Sequence, residues 1–165
     1  MSTRPPSDAV VALRSLGRRF RALFAGLGAD ESPEDLAHRN GSEGRSALDH
    51  VVAATRTITF LSRALDQTLV DDDPVLHPAV ADPARREWPD ATGTVEDRVS
   101  ELAWEADALA DRVEHVAAAD WSRHARVADH DATTSAAAVL WDAVDSAIGH
   151  LKAAERTLSE VRGQA

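Results

Sequence analysis

Seven histidines and no cysteine limit the chemistry open to this chain. Without cysteine there is no thiolate nucleophile, no thiolate metal ligand and no disulfide. Histidine and the carboxylates remain as the groups that move protons or bind a cation near neutral pH. His124 and His130-Asp131 lie close together in sequence, as a metal pair or proton relay would. Two loop histidines with no third fixed ligand read instead as exposed side chains. His38 and His77 stand alone in loops, and His115 follows Glu114 where a cation complements a helix C-terminus. Asp71-Asp72-Asp73 runs directly into Pro74. A calcium loop needs alternating acids, a central glycine and a distal glutamate, so this run reads as a solvated acidic turn. Gly26-Leu27-Gly28 lacks the third glycine and the preceding strand of a dinucleotide fingerprint. No Gly-x-Ser-x-Gly elbow, His-Glu-x-x-His pair or phosphate-binding loop occurs.

The elements that must position any site follow from apolar spacing. A first helix is expected from about Ser7 to Ala25, with Leu13, Leu16, Phe20, Leu23, Phe24 and Leu27 at steps of three and four. Gly26 and Gly28 then end it. A second opens at Ser46, where Ser46-Ala47-Leu48-Asp49 reads as a capping box. It carries Leu48, Val51, Val52, Thr55, Ile58, Leu61, Leu65 and Leu69 until Asp71-Asp72-Asp73-Pro74 stops it. Helical spacing on both sides outweighs the β-rich run from Thr55 to Phe60. A third starts at Thr94, with Glu96 and Asp97 in its first turn, and carries Val95, Val99, Leu102, Ala106, Leu109, Val113 and Val116. A fourth starts near Thr134 and runs to about Val161 through Leu140, Trp141, Val144, Ala147, Ile148, Leu151 and Leu158. Residues 28–45, 71–93 and 118–133 read as connecting loops. The second of these is a long crossover with four prolines. Such lengths allow helix pairings that short hairpin loops forbid.

The expected fold class is therefore all-α: an antiparallel four-helix bundle with a long second crossover. It forms one domain over residues 1–165, with its core at about 7–161. The charge is −10. Residues 1–27 hold five arginines and one aspartate, +4, which leaves −14 for the remainder. That balance opposes nucleic-acid binding over most of the surface. Arg14, Arg18, Arg19 and Arg21 read as a solvated face or as intramolecular partners of the acidic remainder. No run approaches the ~18 apolar residues of a membrane span. Met1–Ser7 is polar and is followed by no apolar leader core, so the expected location is cytoplasmic. Trp141 reads as core, while Trp88 and Trp121 read as plugs at the bundle ends.

The order of these parts resembles the DinB-like superfamily, including its mycothiol-dependent maleylpyruvate isomerase-type N-terminal domains. Ser46-Ala47-Leu48-Asp49-His50-Val51-Val52 is similar to that family's second-helix opening. Asp120-Trp121-Ser122-Arg123 is similar to its Trp-containing loop. Leu140-Trp141-Asp142-Ala143-Val144-Asp145 through Gly149-His150-Leu151 is similar to its final helix. The resemblance spans roughly residues 7–160. It implies a divalent metal in the bundle interior, held by one histidine of the second main helix and a pair four apart on the last. Carried onto this chain, the first ligand falls at Ala53, which has no donor. The pair falls at Asp145/Gly149 or at Ser146/His150, and neither choice completes the triad.

A cavity lined by His50, Ala53, Ser146, Gly149 and His150 is the candidate site that this leaves. No cofactor is expected. The alternative is a divalent ion, Zn or Ni, at a displaced site built from His50, Asp145 and His150, with Asp142 as a substitute acid. The leading functional expectation is small-ligand binding or self-association as a homodimer, without the family's metal. A metal-dependent, mycothiol-type thiol transferase or isomerase is the second. A protein-interaction module using the Arg-rich first helix is the third. Nucleic-acid and membrane partners are not expected.

Overall fold

A computed structural model describes residues 4–164, so the start of the polar leader segment, Met1 to Thr3, lies outside the described residues. Four long helices carry the architecture: α1 (Pro6–Ala25), α3 (Ala47–Val70), α4 (Val95–Glu114) and α5 (Ala136–Gly163). A short α2 (Pro33–His38) lies in the first connection. Each start is chemically marked. The Ser46 hydroxyl accepts from Asp49 N while the Asp49 carboxylate accepts from Ser46 N, a full capping box. The side chains of Thr94 and Ser135 accept from Asp97 N and Ala138 N. Pro6 opens α1, where its missing N–H leaves no bond unmade.

The principal helix contacts are α3 with α5, α1 with α4, α3 with α4, and α1 with α5. Going round the bundle the order is therefore α1, α4, α3, α5. The steps from α1 to α3 and from α4 to α5 each cross a diagonal, which short hairpin loops cannot span. The expected stripes form one core. Leu13, Leu16 and Phe20 of α1, Leu48, Val51, Ile58 and Leu61 of α3, Leu102 and Leu109 of α4, and Leu140 and Val144 of α5 are all buried. Gly17 lets α1 approach α4 closely. A Cβ there would lie 2.6 Å from the Ala103 Cβ. Arg14 pairs with Asp111 and Glu114 across the same contact. Part of the α1 arginine cluster thus binds the acidic remainder, while Arg18 and Arg19 are exposed.

The connections hold more structure than unpatterned loops. Residues 28–45 include α2, which has Ser32 as its N-cap. The second and third connections pair with each other through β1 (Val75–Leu76), β2 (His124–Val127) and β3 (Thr133–Ser135). The sheet order is β1-β2-β3, with β1 parallel and β2–β3 antiparallel. Val75 faces Arg126, and Ala125 faces Thr134. These strands have only two to four residues, too short for alternation to register. Arg123 reinforces the junction by donating to the carbonyls of Thr68 and Asp71 at the end of α3.

The crossover between α3 and α4 folds back along the bundle. Its two 3₁₀ turns, Pro78–Val80 and Pro83–Arg85, are capped by the side chains of His77 and Asp82. Further on, Ala91 N donates to Asp49 Oδ1 at 2.7 Å. One buried carboxylate therefore caps α3 and holds the crossover against it. No described helix is long and apolar enough to cross a membrane.

Candidate functional site

His50, Ala53 and Thr57 lie on successive turns of one face of α3. Ser146 and His150 lie four apart on one face of α5. Since α3 packs against α5, the two faces meet around a cavity of about 360 Å³. The crossover closes one side with Pro83, Arg86 and Trp88. Glu43 and Arg45, just ahead of α3, form the mouth.

The two imidazoles face each other with ring centroids 5.8 Å apart and planes tilted by 38°. His50 is only 7% exposed, and its Nδ1 is buried with no hydrogen-bond partner. Burial pushes the His150 pKa down to about 4, helped by His50, Arg45 and Arg86. Burial also lowers that of His50. There Arg45 and Arg156 add to the effect, while Asp49 and Glu43 oppose it. His150 is therefore neutral at physiological pH, and each ring offers one donor and one acceptor nitrogen.

Arg86 is the most tightly held cation of the site, its side chain only 4% exposed. Its Nε donates to Ala79 O. Its Nη2 donates to Val80 O and, at 2.6 Å, to Asp142 Oδ2. The other oxygen of Asp142 accepts from the Ser146 hydroxyl at 3.0 Å. Beneath this network Phe60 meets Trp88 and His77, with centroids 6.4 and 5.9 Å apart. Trp88 thus walls the cavity as well as packing on an aromatic neighbour.

Of the positions singled out in the sequence, His50, Ala53, Ser146 and His150 come together. Gly149 and Asp145 do not. Both are exposed, one residue back from the His150 and Ser146 face, a rotation of about 100° on a helix. A Cβ on Gly149 would meet no atom within 4 Å, so it neither lines the cavity nor permits close packing. Asp145 binds Arg4 through both oxygens, at 2.8 and 2.6 Å. Asp142, the substitute acid, is held by Arg86 and Ser146. Sequence reasoning missed Arg45, Thr57, Arg86 and Trp88. Two of these sit in a crossover without periodicity, where no pattern signals which side chain turns inward. His124 and His130 are exposed in the third connection, and His115 bonds Asp111 O at 2.7 Å as a C-cap.

A resident metal needs about three convergent protein ligands. Among the described residues no group of three or more His, Asp or Glu side chains could hold one. The two imidazoles share the cavity wall with Arg45, Arg86 and a single acid, Glu43, and Asp142 is engaged by Arg86, so the wall carries no excess of negative charge to hold a cation. The donors present do not fit a three-ligand metal site.

This geometry can be set beside known proteins. YfiT from Bacillus subtilis, described as a probable metal-dependent hydrolase with an unusual four-helix bundle topology, superimposes with a TM-score of 0.68. The match covers 94% of this chain and 89% of that one, at 9% identity. The chain shares the four-helix bundle fold of that protein. At that identity the likeness speaks for the fold and its helix order, and leaves the site to be argued from its own residues. No family model matches the sequence, and no match was found among curated proteins.

Proposed function

We propose that this bundle binds a small molecule in the cavity between α3 and α5, without a resident metal as its centre. One observation carries the reading. A buried imidazole nitrogen with no partner, on His50, stands beside a cavity also lined by His150 and Arg86. Buried polar groups in folded proteins are nearly always bonded, so an unbonded imidazole nitrogen on a residue of the cavity lining makes that wall more polar than packing requires, which supports a ligand there. A volume of about 360 Å³ falls at the lower end of small-molecule sites.

The test is a ligand-detected NMR fragment screen on the full chain and on Ala53→Phe, which places a ring in the cavity. Fragments should bind the native chain and lose binding in the variant. Equal binding to both, or none to either, ends the proposal.

A divalent ion shared by His50 and His150, serving a thiol transferase or isomerase, is the second reading. Only the 5.8 Å approach of the two rings favours it. Metal analysis of protein purified without chelator separates the two. A stoichiometric ion lost in both His50→Ala and His150→Ala supports the metal. Its absence leaves the cavity as a ligand site.

A further inference from the structure

The cavity wall is chemically uneven, and its unevenness names a ligand class. Arg86 enters the wall with its orientation already fixed by bonds to two backbone carbonyls and to Asp142. Nη1 is the one guanidinium nitrogen that makes no hydrogen bond among the described residues. A charged donor that is immobile and unpartnered is prepared for an acceptor, because little side-chain entropy is lost when it binds. His150, on the facing helix, supplies a neutral ring. Ala53, Pro83 and Trp88 supply an apolar wall.

The geometry points to a small organic carboxylate as the ligand, its anionic end on Nη1 of Arg86 beside His150 and its apolar body against Ala53 and Trp88. This rests on the small-ligand reading of the cavity and makes it specific. Three alternatives fit less well. A cation would meet Arg45 and Arg86. A neutral ligand would offer Nη1 of Arg86 only an uncharged acceptor, the weaker partner for a charged donor. A dianionic phosphate asks for more positive charge than remains, because Asp142 already offsets Arg86 and Arg45 alone is left beside it. Glu43 is the one acid on the lining, and its field acts on His50. At His150 the acting charges are those of His50, Arg45 and Arg86, with no acid among them. By charge the anion belongs beside Arg86 and not beside Glu43.

Benzoate, benzamide and inorganic phosphate make a direct test on the full-length protein, followed by the ring resonances of His50 and His150. Benzoate should shift the His150 signals. Benzamide, the neutral isostere, should bind at least ~10-fold more weakly, as loss of a charge-assisted hydrogen bond implies. Arg86→Gln should reduce benzoate affinity by a similar factor. Since Arg86 is buried, Arg45→Gln at the exposed mouth serves as a second variant expected to fold normally, with a loss of roughly 2- to 3-fold. Benzamide binding as tightly as benzoate overturns the carboxylate assignment. So does a folded Arg86→Gln protein with unchanged benzoate affinity, or tighter binding of phosphate than of benzoate. If none of the three probes binds while other fragments do, the ligand class is wrong and the small-ligand reading stands. If the fragment screen also fails, both fall.

Discussion

Two concave regions of this molecule differ in size and in chemistry. A groove of about 870 Å³ runs between the start of α1 and the end of α4, against Trp121, Val113, Val116 and Val10. The cavity between α3 and α5 has less than half that volume. Yet the smaller one holds the buried, unpartnered imidazole, the fixed arginine and the base whose pKa has fallen to about 4. At the groove Arg4 is satisfied within the chain. Arg4 binds Asp145 with both nitrogens, lies 3.8 Å over the Trp141 ring and accepts from Trp141 Nε1 through its carbonyl. Unfinished hydrogen bonding around a cavity marks a place where something else is expected.

That contrast can be broken by removing one arginine from each region. Arg86→Ala strands the Asp142 carboxylate and two backbone carbonyls, and should lower stability by about 3–5 kcal/mol in chemical denaturation. Arg4→Ala at the exposed groove should leave the midpoint nearly unchanged, since exposed ion pairs add little. Comparable losses in the two would dissolve the distinction. Asp49→Ala comes next. It removes the carboxylate half of the α3 capping box and the bond that holds the crossover, for a loss of about 2 kcal/mol, and it should loosen Trp88 and Arg86 together. A variant whose cavity residues keep their NMR shifts would show that the crossover is held elsewhere.

Acid titration sharpens the same comparison, with two separable windows. His50 and His150 have depressed pKa values in the fold, so the unfolded chain takes up protons first. Stability should fall as pH drops below 6.5 and level off near 4, where His150 in the fold also protonates. His150→Gln should flatten that slope. For Asp49 burial favours the neutral acid, but hydrogen bonds from Ala91 and Ser46 prevail and hold its pKa below 3.8. Its contribution is complete above that value and is lost as pH falls through the lower folded one. A native chain whose stability is flat between pH 6.5 and 4 would contradict the buried state of the two rings. The one expected gain is at Gly149. Gly149→Ala meets open space and should stabilise α5 by up to about 1 kcal/mol through helix propensity, leaving ligand binding unaltered.

The long helices were legible because their burial repeats with the helical period. Leu13, Leu16 and Phe20 announce one face of α1, and Ser46 with Asp49 announces where α3 begins. The small sheet was not legible, because Val75–Leu76 finds its partner some fifty residues away and carries no pattern of its own. The site divided along the same line. Ala53, Ser146 and His150 were placed by the resemblance to the DinB-like superfamily. Asp145 and Gly149 fit an equally good register, and only the rotation of α5 against α3 turned them outward.

What the amino-acid order determined by itself is the set of helices, their apolar faces, their caps, and the absence of any thiol of the chain's own. Those properties are local, set by backbone hydrogen bonding and by spacing within a few residues. Tertiary structure alone decided that Arg86 of an irregular crossover would meet Asp142 of α5, and that His50 and His150 would share one cavity. These are encounters between residues 56 and 100 positions apart, brought about by how four helices pack and by where one carboxylate, Asp49, holds the connecting chain.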